Sequence, residues 1–172
     1  MDYKSRIRDI PDFPEKGVIF RDIAPLIEDG KMFKAAVDEI YNKVAGLKID
    51  KVVGIDARGF ILASIIAYKL GCGFVMLRKK GKLPFKTESV EYDLEYGKNT
   101  LEIHQDSIKP GEKILIIDDV LATGGTVEAT ARLIEKLKGE VIGIAFLIIL
   151  DYLSGRNRLG RYPLYSLVAY QK

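Results

Sequence analysis

Cysteine and histidine are almost missing from this chain, with one of each, Cys72 and His104. A lone cysteine forms no internal disulfide. Set between Gly71 and Gly73 at the edge of an apolar run, it reads as a half-buried small hydrophobe. A lone histidine on an alternating segment, far from the polar loops, has no second histidine for a metal cluster or a triad and reads as a surface residue. Long apolar runs are lacking too, since none approaches the roughly 20 residues of a bilayer-crossing helix. The opening Met1-Asp2-Tyr3-Lys4-Ser5-Arg6 has no apolar signal core. Repeats and low-complexity tracts are absent. An excess of one charge is lacking as well: 27 Lys and Arg against 24 Asp and Glu leave +3. Basic residues pool only in Arg78-Lys79-Lys80 with Lys82, which gives no reason to expect a nucleic-acid partner. The expectation is a cytoplasmic soluble protein without membrane association.

What is present is enough for one domain with a real core, in 172 residues. Pro11, Pro14, Gly17 and Pro25 make residues 1–30 irregular. Apolar residues at helical spacing predict a helix over 32–44, with Asp29 as its N-cap. Residues 51–56 read as a buried strand. Residues 60–70 are apolar all round and stop at Gly71, as a buried helix would. Strands are expected at 73–77, 100–104, 114–117, 140–150 and 164–170, and a helix at 126–138. The stretch 79–97 is polar, contains Gly81 and Pro84, and reads as a long functional or mobile loop. Strands alternating with helices, several apolar on both faces, predict an α/β fold with a mainly parallel central sheet covered on both sides. In such sheets ligands bind beyond the carboxyl ends of the strands. Residues 56–59, 78–81 and 118–126 are polar strand ends that should converge there.

The most informative segment is Ile114-Leu115-Ile116-Ile117-Asp118-Asp119-Val120-Leu121-Ala122-Thr123-Gly124-Gly125-Thr126. An apolar strand climbs into two acids and breaks into a small, hydroxyl-rich turn before a helix. Ala122, Thr123, Gly124, Gly125 and Thr126 can turn backbone N–H groups and hydroxyls toward a phosphate at the helix start. Asp118 and Asp119 can accept from sugar hydroxyls beside it, directly or through metal-bound water. No Lys follows the glycines, so this is no nucleoside-triphosphate loop, and it is not G-x-G-x-x-G either. A terminal phosphate monoester fits better than a bridging diphosphate. Arg58, one residue past a strand end, suits a second anion or a structural ion pair, and Arg78 and Lys82 would serve the same anion or form a solvated basic turn. Glu95 and Tyr96 stand at the end of the long polar stretch, where a carboxylate on a closing loop can exchange protons. Phe20, in the irregular N-terminal part, is either core or a stacking surface for a flat heterocycle.

Together these motifs resemble the type I phosphoribosyltransferases, nearly end to end and most closely the branch that acts on adenine. Asp12-Phe13-Pro14 and Gly17-Val18-Ile19-Phe20-Arg21-Asp22-Ile23 look like that branch's purine-binding hood. Asp56-Ala57-Arg58-Gly59-Phe60 resembles its pyrophosphate loop. Residues 77–84 and Leu94-Glu95-Tyr96-Gly97 flank its flexible catalytic loop. The resemblance implies transfer of the phosphoribosyl group of 5-phosphoribosyl 1-pyrophosphate to adenine, giving AMP and pyrophosphate. Mg²⁺ would travel on the substrate, reached by Asp118 and Asp119 through water. It also implies roles: Ala122 to Thr126 on the 5′-phosphate, Asp118 and Asp119 on the ribose diol, and Ala57, Arg58, Arg78 and Lys82 on pyrophosphate. Phe20 and Val120 would sandwich adenine, with backbone groups of Ile19 and Arg21 reading its edge. Glu95 would be the acid/base residue, with Tyr96 and Arg58 beside it in catalysis. A homodimer is implied, because Arg78 can reach the neighbouring site in this family, and so is a cis peptide after Asp56. Val120 stands where the family often has Leu. Spacing alone does not choose adenine over another purine base. A regulator that kept the loop but read nucleic acid would need a basic patch or an added helix-turn-helix.

Overall fold

The computed structural model describes residues 1–93 and 98–171. A hairpin of β1 (Arg8–Pro11) and β2 (Ile19–Asp22) opens the chain, with Pro11 opposite Ile19. Its connection is held by Asp12, whose carboxylate accepts from the Gly17 N–H at 2.7 Å, and it contains a cis Phe13–Pro14 peptide. After the short α1 (Ala24–Glu28), Asp29 caps α2 (Gly30–Val44) by accepting from the N–H groups of Lys31 and Met32. Such a cap contributes about 1 kcal/mol.

The sheet is built from β3 (Lys51–Ile55), β4 (Gly73–Lys79), β5 (Thr87–Asp93), β6 (Lys98–His104), β7 (Lys113–Leu121), β8 (Glu140–Leu150) and β9 (Leu164–Tyr170). Its order is β5-β6-β4-β3-β7-β8-β9. From β4 to β9 neighbours run parallel, whereas the β5–β6 hairpin joins β4 antiparallel. The helices α3 (Gly59–Leu70) and α4 (Gly125–Lys136) are the crossovers after β3 and β7.

Burial fixes which way the functional strand faces. Ile114, Leu115, Ile116 and Ile117 of β7 are all fully buried. Leu115 and Ile117 join α2 and α3 in one core layer, and Ile114 and Ile116 join α4 in the other. Each such side chain contributes roughly 1.5–3 kcal/mol, so a one-residue slip that exchanged the faces is heavily disfavoured. The acids that follow inherit this alternation.

The structure departs from the sequence expectations in several places. Residues 79–97 are not one loop: β5 occupies Thr87–Asp93 and pairs with β6 from Thr87↔His104 to Asp93↔Lys98. β7 does not stop at Ile117 but carries Asp118 and Asp119 within the strand. α3 is apolar all round, yet it buries one face only, and Tyr68 on the other is 86% exposed. His104 is half-buried rather than on the surface, with its Nε2 buried and unpaired and its ring against Phe85. Cys72 is half-buried, as expected, and burial pushes its thiol pKa up.

Candidate active site

β3 and β7 lie side by side in register, Gly54 opposite Ile117. Their carboxyl ends therefore release residues 56–58 and 118–126 at one edge of the sheet. The β1–β2 hairpin leans over the same edge. Between them is a cavity of about 450 Å³ that touches Ile19, Phe20, Arg21, Ala57, Arg58, Asp118, Asp119, Val120, Ala122 and Thr126. The predicted hood, pyrophosphate loop and sugar-phosphate segment thus meet. The Asp56–Ala57 peptide is cis.

Successive positions on β7 carry the two acids, and both carboxylates reach the start of α3, Asp118 Oδ1 against Gly59 and Asp119 beside Arg58. Asp119 is 4% exposed and points toward the start of α3, where Arg58 Nε lies 2.8 Å from its Oδ2. That N–H is not aligned for a hydrogen bond, and Oδ2 remains without a hydrogen-bond partner; the contact is an ion pair. The Arg58 guanidinium also lies 4.7 Å from the centre of the Phe20 ring. Phe13 also meets Phe20, in an edge-to-face contact with ring centres 5.2 Å apart. Arg21 is buried in an ion pair with Asp9 and stacks on Tyr170 at 3.9 Å.

Asp118 accepts from the Asp119 N–H at 2.9 Å. Burial, and then the neighbouring Asp119 carboxylate, push the Asp118 carboxyl well above the ordinary carboxylate range. A raised folded-state value means that the folded chain holds this proton more tightly than the unfolded chain. Stability therefore falls as pH rises from the unfolded value near 4 through the raised one. Asp118→Asn, which keeps the accepting oxygen, should raise Tm by roughly 2–4 °C at pH 8, the effect of about 1 kcal/mol in a chain of this size. The gain should vanish near pH 4. Thermal melts across that range check this, and an equal shift at both ends would overturn it.

Beyond Leu121 the chain turns at Gly124, whose φ of 82° suits a residue without a Cβ. The first α-helical bond there runs from Glu128 N to Gly124 O, and no side chain caps α4. The N–H groups at the start of α4 are thus left to a ligand or to water. Thr126 Oγ1 donates to the Tyr92 hydroxyl at 3.3 Å. Behind the turn, Gly155 in the short α5 (Gly155–Arg158) packs directly on Ala122 and Leu121.

Other predicted cations are placed less directly. Arg78 Nε and Lys82 Nζ both meet Asp56 Oδ2, at 3.2 and 3.4 Å. Neither lines the cavity, where Lys79 does. Thr123, Gly124 and Gly125 belong to the turn without lining the cavity. Glu95 and Tyr96 lie outside the described residues. Sequence reasoning missed Tyr92 and Asn99 and gave Lys79 only as part of the converging strand end 78–81; all three are at the cavity. The alternation Glu88, Val90, Tyr92 was the available signal for the strand that carries Tyr92. Among the described residues no three His, Cys, Asp or Glu side chains gather as a metal cage. The Asp118–Asp119 pair, with Asp119 Oδ2 ion-paired but not hydrogen-bonded, instead suits a Mg²⁺ that arrives on phosphates and takes one or two carboxylates.

Fold and site define an α/β protein with a small-molecule cavity at the carboxyl edge of a mainly parallel sheet. The phosphoribosyl transferase domain family matches residues 27–164. Adenine phosphoribosyltransferase of Thermotoga neapolitana is 55% identical over 99% of this chain and 100% of its own. That of Brachyspira hyodysenteriae is 50% identical over 99% and 100%. The crystal structure of the Thermoanaerobacter pseudethanolicus adenine phosphoribosyltransferase has a TM-score of 0.96 at 46% identity, covering 98% of each chain. The Giardia lamblia structure, complexed with 9-deazaadenine, has 0.93 at 38% identity, covering 99% of this chain and 97% of its own. The chain belongs to the adenine phosphoribosyltransferase family.

Proposed function

We propose that the chain transfers the phosphoribosyl group of 5-phosphoribosyl 1-pyrophosphate to adenine, giving AMP and pyrophosphate in purine salvage. The observation that carries this reading is the meeting of Phe20, the Asp118–Asp119 pair and the uncapped start of α4 around one cavity. Its size is that of a small-molecule site. One domain carries the whole activity, with residues 1–30 as a hood over the sugar site.

Each group has a physical task. The residues from Ala122 to Thr126 take the 5′-phosphate on helix-start N–H groups and hydroxyls. Asp118 and Asp119 accept from the ribose diol, and bonds to such charged groups contribute about 1.5–3 kcal/mol each. Phe20 and Val120 enclose the adenine ring, and backbone groups of Ile19 and Arg21 read its edge. Ala57, Arg58, Arg78 and Lys82 take the pyrophosphate. As the C1′–oxygen bond to pyrophosphate breaks, the C1′–nitrogen bond to adenine forms on the opposite face, and the base loses a proton. Charge builds on the leaving group, where the cations are worth most. Glu95 manages the proton, and Tyr96 helps keep water from the reacting carbon. Mg²⁺, when bound through the substrate within reach of Asp118 and Asp119, supplies further neutralisation of the phosphates.

A homodimer is supported by the exposed apolar residues Tyr68 on α3 and Met76 on β4. A cytoplasmic setting is supported by the single cysteine. Steady-state assay of the purified protein with adenine, hypoxanthine, guanine and xanthine tests the reaction. AMP from adenine, with the other bases turned over poorly, is expected. No AMP formation would sink the proposal.

A further inference from the structure

β5 lies along α4 in the opposite direction, and alternate residues of the strand mark the contact. Glu88 meets Lys136 near the end of α4, with Lys136 Nζ 2.5 Å from its Oε1. Val90 packs on the core layer that α4 covers. Tyr92 reaches Thr126 in the first turn of α4. The spans agree: four strand residues cover about 13 Å, and ten helix residues about 15 Å. The tyrosine is therefore delivered to the start of α4 by the whole strand rather than by a local turn.

Tyr92 is 8% exposed, and its ring lines the cavity. Its hydroxyl lies 3.3 Å from Thr126 Oγ1, and one bond between two hydroxyls uses only one of their two protons. A half-used pair of hydroxyls at a buried edge is costly unless something completes it. The group beside it in the proposed reaction is the 5′-phosphate, an acceptor with two charges and three oxygens.

We infer that the Tyr92 hydroxyl is a further donor to the sugar phosphate held by residues 122–126, an inference that rests on the sugar-phosphate reading of that turn. Thr126 then donates to Tyr92 and Tyr92 donates to the anion, while the N–H groups at the start of α4 hold it from the helix side. Phosphate is thereby gripped from both sides of the crevice.

Calorimetry with ribose 5-phosphate alone tests this on the parent protein, Tyr92→Phe and Glu88→Gln. Tyr92→Phe removes only the hydroxyl and should weaken the Kd about tenfold, as one lost bond to a charged group does. Glu88→Gln loosens the same strand elsewhere and should leave the Kd within about twofold, the range of surface substitutions. A Tyr92→Phe Kd equal to the parent's overturns the inference. So does equal weakening in both variants, which would make Tyr92 a packing residue, and so does a parent protein that does not bind ribose 5-phosphate. The AMP assay fails or succeeds separately: no AMP together with Tyr92-dependent binding would remove the reaction and keep this donor.

Discussion

Glu95→Gln is expected to lower turnover by about 10²–10⁴-fold, the usual contribution of a placed acid or base, while ribose 5-phosphate binding is largely kept. Glutamine preserves the size and polarity of the side chain and removes only its proton exchange. Glu95 itself lies outside the described residues, but Tyr92 and Asn99 on either side of it do not. Tyr92 and Asn99 are register partners on β5 and β6 and both line the cavity. Glu95 is three steps along the chain from Tyr92, at most about 10 Å. A carboxylate on so short a tether can reach the reacting base without bringing along a distant part of the fold. Steady-state kinetics and calorimetry check the two halves of the expectation. Unchanged turnover would take the acid/base role from Glu95. A parallel loss of ribose 5-phosphate binding would make it a binding residue.

Gly155→Ala is expected to damage both stability and phosphate handling. A Cβ at this position would lie 2.3 Å from the Ala122 carbonyl oxygen and 2.9 Å from Leu121 Cδ1. The first is backbone of the sugar-phosphate turn, which cannot swing aside as a side-chain tip can. Overpacking of this kind costs about 1–3 kcal/mol, which lowers Tm by roughly 2–10 °C in a chain of this length. Relief comes by pushing Ala122 toward the cavity, and a shift of about 1 Å there can cost on the order of 10²-fold in rate. Gly46→Ala is the control, because nothing lies within 4 Å of the added methyl. Thermal melts and kcat/KM for 5-phosphoribosyl 1-pyrophosphate provide the measurements. A Gly155→Ala protein matching the parent in both would show that the turn yields freely.

Local chemistry made much of this molecule readable in advance. The start of α2 followed from Asp29, the end of α3 from Gly71, and the place of Asp118 and Asp119 at the sheet's carboxyl edge from the apolar run before them. Contacts between distant parts of the chain were not readable. Nothing near Gly155 in sequence says that it backs Ala122, more than thirty positions away. β5 was hidden because an edge strand needs only one apolar side: Thr87, Ser89 and Glu91 leave Val90 and Tyr92 as its apolar mark. It became a strand by pairing with β6. For Arg58 the sequence left an anion or a structural ion pair open, and position alone could not name Asp119 and Phe20 as the groups that engage it. Lys79 and Arg78 are adjacent on β4, so alternation sends them to different sides, and the basic cluster did not say which side faced the cavity.

The carboxylates beside those cations have one more consequence. Arg58 is matched by Asp119, and Arg78 and Lys82 share Asp56. Two carboxylates offset much of the charge of three cations, so the crevice is only mildly positive, with internal acids already beside the basic groups. On the proposed reading, substrate entry is an exchange of counterions and not an addition of charge to a bare positive hole. A singly charged metabolite gains little by displacing a carboxylate already in place. A ligand carrying several negative charges on one short chain can replace both acids at once. Selectivity for a densely charged sugar phosphate over the common small anions is then set before any contact with the base.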